Sequence, residues 1–189
     1  TIISFFVYPI LSFFIFFAKP IIVLLYSNKW LECAPIFQIL CLSGFFNTIY
    51  HLSRSTMKAI NKTNILLYTQ LLSVIIGIIA ILFSLKFEMR FFIWVLVFNS
   101  FISYIVVGYY IGKYIHYSVL KQIKDLLLSM VVSLAVASLC NVIAEFVPLN
   151  ELLKLFIFFL IYSVLYMTIH FVFKTRPYVL VMQYINKKI

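Results

Sequence analysis

This sequence predicts an all-α protein, a polytopic transmembrane bundle of six spans, on three observations. Six apolar runs fill nearly all of the 189 residues. Each run is close to 20 residues, the helix length that crosses a hydrocarbon core of ~30 Å. The basic residues gather in alternate gaps between the runs, as in membrane proteins whose basic connectors stay inside the cell. Hydrophobic residues make up 65% of the chain and charged ones 11%, against roughly 25% charged in a soluble domain. No stretch is polar enough to fold in water, so residues 1–189 read as a single transmembrane domain.

The spans follow in order. The first covers about 2–26 and is interrupted by Pro9 and Pro20. Pro20 has no N–H to offer the Phe16 carbonyl, which predicts a bend there. The second covers about 33–52, the third 65–85, the fourth 91–111, the fifth 126–147 and the sixth 152–173. Backbone groups in lipid must be satisfied within the segment, which leaves helices as the spanning elements. The runs lack the period-2 alternation of a barrel strand. The chain opens at Thr1 almost inside a span, with no basic leader and cleavage site, so we expect it to be the C-terminal part of a longer protein.

Charge sets the orientation. Arg54, Lys58, Lys62, Lys113, Lys121, Lys124, Lys174, Arg176, Lys187 and Lys188 fall on one side. The opposite side receives Lys19, Lys29, Lys86, Arg90 and Lys154, with four of the five acids: Glu32, Glu88, Glu145 and Glu151. The richer basic side is expected in the cytoplasm, together with the C-terminus. Trp30, Tyr26, Tyr114, Tyr117 and Tyr178 lie at the expected interfaces as anchors. The net charge of +10 is spread over short loops, which argues against a nucleic-acid partner.

Two places carry candidate binding residues. Asn47, His51, Arg54, Lys58 and Lys62 recur every three or four residues, one face of a helix. As a cationic stripe at the mouth of a cavity they would attract a pyrophosphate, with Arg54 able to bind two oxygens at once. The alternative is that the helix leaves the membrane here and its basic side chains snorkel to the headgroups. Lys19 precedes Pro20 and stands seven residues before Tyr26, roughly 10 Å inside the outer boundary at the helical rise. It either faces a cavity and meets substrate phosphate or snorkels outward.

Small residues at four-residue steps, among them Ser73 with Gly77, Gly108 with Gly112, and Ser129 with Ser133 and Ala137, are expected at helix contacts. Gln70, Asn99 and Asn141 lie within spans and need hydrogen-bond partners, on a neighbouring helix or a ligand. Cys33, Cys41 and Cys140 have neither metal nor redox spacing. His51, His116 and His170 are too scattered for a metal set. No carboxylate lies near the middle of a span, where a proton or sodium relay usually has one. No HExxH, GxSxG or phosphate-cradling glycine loop occurs. We therefore expect no catalytic residue, no metal and no cofactor, and not an enzyme.

The stretch FAKPIIVLLYSNKWLECAPIFQILCL, from Phe17 to Leu42, resembles the polysaccharide (oligosaccharide) flippase family, Wzx-like members of the multidrug/oligosaccharidyl-lipid/polysaccharide exporter superfamily. Ser27 stands where that family has a turn glycine. Lys58-Ala59-Ile60-Asn61-Lys62 is similar to its KALG-(K/R) link, and GYYIGKYIHYSVLKQIKDLL, from Gly108 to Leu127, to its TGKLIGYSLLKQLKDLLP loop. The resemblance implies the last six helices of a two-lobed, 14-helix transporter of the bacterial inner membrane. It implies flipping of an undecaprenyl-pyrophosphate-linked oligosaccharide by alternating access, with membrane lipid around it and polymerase or export proteins as partners. The competing readings are a small-molecule exporter of the same superfamily and a membrane-embedded enzyme of polysaccharide assembly such as a polymerase.

Overall fold

The computed structural model describes residues 2–84, 86–87, 89–115, 119–173, 175, 178–179 and 181–183. Glu88, His116, Tyr117, Lys174, Arg176, Lys187, Lys188 and the side chain of Asp125 lie outside them. The elements are α1 (Ile2–Phe16), α2 (Ala18–Tyr26), a 3₁₀ turn (Asn28–Cys33), α3 (Ala34–Ala59), α4 (Thr63–Ser84), α5 (Met89–Ile115), α6 (Val119–Phe146) and α7 (Glu151–Val172). Among the described residues there is no strand. Five helices are long and apolar enough to cross a membrane, and six spans result if α1 and α2 form one broken crossing. Large apolar side chains stand exposed along α4, Leu67, Leu71, Ile75, Ile78 and Leu82 among them. In water such a surface would aggregate, whereas in a bilayer it is the lipid-facing side. This is a multi-pass membrane protein.

The first run departs from a straight span. α1 and α2 meet at 80°, and the corner is Phe17 (φ −98°, ψ 22°). Pro20 falls in the first turn of α2, where its missing N–H would have had no helical partner anyway. α1 has 15 residues and α2 has 9, so neither alone has the ~20 a crossing needs. Lys19 and Tyr26 both lie on α2, so the rise between them follows that helix and not the line of α1. Pro9, by contrast, is carried inside α1.

Two turns use backbone that favours glycine. Ser27, after α2, has φ 78° and ψ 170°, a region essentially reserved for glycine and costing another residue about 1–3 kcal/mol. Ser27→Gly removes that strain but loosens the unfolded chain, so a net gain of about 1 kcal/mol is expected. A higher melting temperature in detergent would register it. At the end of α3, Asn61 has φ 57°. Its N–H donates to the Lys58 carbonyl (3.0 Å) and the Lys62 N–H to the Met57 carbonyl (3.1 Å). This is a Schellman cap, with asparagine, the next best residue, in the left-handed position.

The helices fall into two compact units. The first comprises 1–38 and 124–189. Its core packs Phe13 and Phe17 against Val136, Ala137, Cys140 and Ala144 of α6 and Leu155, Phe158 and Tyr162 of α7. Beside this core runs a file of buried hydroxyls. Ser4, Tyr8 and Ser12 of α1, Ser129 and Ser133 of α6, and Tyr162 and Tyr166 of α7 are all at most 1% exposed. The Ser12 and Ser133 hydroxyls lie 2.8 Å apart, and the Tyr166 hydroxyl donates to the Phe5 carbonyl at 3.0 Å. His170 Nδ1 sits 2.6 Å from the Thr175 hydroxyl. The small residues expected at a helix contact, Ser129, Ser133 and Ala137, are what lets α6 approach closely here.

The second unit comprises 39–123. Met57, Leu66, Val107 and Ile111 form its buried cluster. α4 and α5 pair along Ser73 and Gly77. The Ser103 hydroxyl donates to Ser73 at 3.0 Å, and the Asn99 side chain lies over Gly77, where a Cβ would meet its amide nitrogen at 3.2 Å. Asn99 Oδ1 and Gln70 Oε1 are buried with no partner among the described residues.

Candidate functional site

In the first unit, the corner between α1 and α2 opens a cavity of about 360 Å³. Its polar wall is Lys19, Gln38, Asn141, Glu145, Glu151 and Lys154, with Phe16 and Pro20 on the apolar side. Each arrives for a local reason. The bend turns Lys19 out of the line of α1. Gln38, on the second turn of α3, donates its amide to the Ile15 carbonyl at 2.8 Å, serving a backbone acceptor at the break in the helix. Asn141 and Glu145 are one turn apart near the end of α6. Glu151 opens α7, where a carboxylate is favoured by the helix dipole, and Lys154 reaches back to it at 3.5 Å.

That ion pair is the one salt bridge among the described residues. Lys19 and Glu145 have no charged partner among the described residues, and Asn141 is half-buried without a hydrogen bond to any of them. The wall thus presents an ammonium, a carboxylate and an amide free to bind. Cations and anions balance around it. Such a site can grip a polar, uncharged ligand through many hydrogen bonds, with Phe16 as an apolar floor.

The other candidates lie in the second unit. α3 continues as helix to Ala59, past the apolar run that ends at 52. Twenty-six residues measure roughly 39 Å, longer than the ~30 Å core, which is length enough for the polar last turns to reach past the hydrocarbon. Asn47 and Arg54 are half-buried, while His51 and Lys58 are exposed. The Arg54 guanidinium lies 5.4 Å from the centre of the Tyr50 ring and bonds its hydroxyl weakly at 3.4 Å. The Tyr50 and His51 rings meet edge-on. Lys62 sits 5.2 Å over the Tyr114 ring. Asn47, His51, Arg54 and Lys58 follow one another along α3, whereas Lys62, expected on the same helix face, lies past the end of α3 beyond the left-handed Asn61; Lys19 belongs to the first unit and is not part of the stripe.

Sequence reasoning put Lys19 among the site residues and left out its companions. Glu145, Glu151 and Lys154 figured only as charges of the outer side, and Asn141 as an amide in need of a partner. The usable signal was their shared side: four charges assigned to one membrane face converge on one cavity.

Residues 1–35 match a family model described as "Polysaccharide biosynthesis protein". No curated protein and no solved structure matches the chain. The matched segment forms α1, α2 and the 3₁₀ turn, and it supplies Phe16, Lys19 and Pro20 to the cavity. The helices and the match together describe a multi-pass membrane protein similar, over its first 35 residues, to polysaccharide biosynthesis proteins.

Proposed function

We propose that this protein flips a lipid-linked oligosaccharide or polysaccharide repeat unit across the bacterial inner membrane by alternating access, as part of a Wzx-like flippase. The observation that carries the reading is that the segment similar to polysaccharide biosynthesis proteins is also the one that bends and opens a polar cavity. A carrier needs a hydrophilic pocket inside an apolar bundle, and broken helices are the usual means of building one. The substrate is an undecaprenyl-pyrophosphate-linked glycan. Its pyrophosphate meets Arg54 and Lys58 on the inner side, and no bond is made or broken.

The test is reconstitution in proteoliposomes with a fluorescent pyrophosphate-linked glycan, followed by quenching of the outer leaflet. Protein-dependent movement between leaflets supports the reading; movement no faster than in empty vesicles discards it. Orientation has its own check. Lys121 should react with an impermeant amine reagent in inside-out vesicles and not in intact cells. Labelling from outside the cell would reverse the topology and remove the inner-side role of the stripe.

A further inference from the structure

We infer that the cavity at the α1–α2 corner is a saccharide site, which receives the neutral sugar portion of the substrate and excludes its pyrophosphate. The inference deepens the proposed carrier role. It rests on that role for where the glycan comes from, and on the residues of the wall for the chemistry.

Three observations converge. First, the wall is electrically balanced: Lys19 and Lys154 stand against Glu145 and Glu151. A pyrophosphate entering it would meet two carboxylates as well as two ammoniums, and one ammonium, on Lys154, is already paired. Phosphate sites are built from unopposed Arg, Lys and backbone N–H groups. Second, the uncommitted groups are those that hold hydroxyls. Asn141 offers two donors and an acceptor, Glu145 two acceptor oxygens, and Gln38 an oxygen to which no described residue donates once its nitrogen is bound to Ile15. A sugar hydroxyl is donor and acceptor at once and can bridge an amide and a carboxylate. Third, Phe16 is half-buried at the cavity edge and can cover the C–H face of a pyranose. The buried Phe17 beneath it, stacked on Phe13 at 4.4 Å, holds the corner in place. A volume of about 360 Å³ is at the small end of ligand pockets and suits a mono- or disaccharide.

The test is saturation-transfer-difference NMR on the protein in lipid nanodiscs, with N,N′-diacetylchitobiose and maltose as free probes and sodium pyrophosphate as competitor. We expect transfer to the protons of at least one disaccharide, undiminished by pyrophosphate. Asn141→Leu should weaken that binding roughly tenfold, since it strands the partner hydroxyls. Loss in that variant could also come from misfolding, so a gain is tested beside it. Glu145→Gln with Glu151→Gln leaves two ammoniums unopposed, and pyrophosphate should then displace the sugar. Three results would overturn the inference: no transfer to either disaccharide, displacement by pyrophosphate in the unaltered protein, or a double variant as indifferent to pyrophosphate as its parent. A protein that binds disaccharide yet fails to flip the lipid-linked glycan keeps this site and loses the proposed function. One that flips the glycan and binds neither probe does the reverse.

Discussion

Replacing Phe17 with alanine is expected to destabilise the first unit by about 3 kcal/mol, within the range for truncating a buried aromatic. Phe17 is 1% exposed and lies at the residue where α1 ends and α2 begins. Its ring stacks on Phe13 at 4.4 Å and tilts against Phe158 at 6.2 Å, and its cluster reaches Val136, Ala137 and Cys140 on α6. Removing the ring leaves a void that α6 and α7 cannot close without disturbing Ala137, itself wholly buried. Lipid supplies little compensating hydrophobic force between helices, so the lost term is mostly packing. Melting can be followed with a thiol-reactive fluorophore, because Cys41 and Cys140 are buried in the folded protein. A fall of roughly 5–10 °C is expected. An unchanged transition would mean that the corner is held by something other than this ring. Phe17→Leu should recover part of the loss.

The second large effect belongs to the stripe. Arg54→Ala together with Lys58→Ala should lower the apparent affinity for a pyrophosphate-linked glycan about 100-fold. Each charge-assisted contact contributes ~1.5–3 kcal/mol, and 1.4 kcal/mol is a factor of ten. The two residues are a turn apart on α3, and Arg54 is held against Tyr50. Its fork is therefore partly preorganised for two phosphate oxygens. Arg54→Lys keeps the charge and loses the fork, so it should fall between the parent and the alanine variant. If both side chains only snorkel to headgroups, initial flipping rates at low glycan concentration will be unchanged. Labelling of Lys121 in the same preparation separates a binding defect from an inverted protein, since both residues also contribute to the charge bias that sets orientation.

How much of this was legible in the sequence depends on range. Run length and charge bias are local, and they located α4 and α7 to within two residues, because hydrocarbon thickness fixes how long an apolar helix must be. α5 and α6 run further than their apolar windows. Residues such as Lys113 and Lys121 leave the core yet stay helical, since the chain there still satisfies its own carbonyls. The turn at Ser27 was marked in advance, since Ser27 stands where the resembled flippase turn has glycine; the left-handed Asn61 was not. Nor was the 80° corner. Pro20 announces a bend, but its angle is set by Phe17 lodging against α6 and α7, contacts with residues over a hundred positions away. The cavity was hidden for the same reason. Lys19 drew notice as a charge within an apolar run, whereas Gln38, Asn141 and Glu145 are unremarkable until α3 and α6 bring them beside it.

The file of hydroxyls through the first unit limits how that unit can move. Sliding α1 one turn along α6 and α7 would part the Tyr166 hydroxyl from the Phe5 carbonyl and the Ser12 hydroxyl from Ser133, leaving buried polar groups without those partners in an interior with no water to receive them. Those three helices should therefore travel as one block during any working cycle, with the slack taken up at the Phe17 elbow and the strained Ser27 turn.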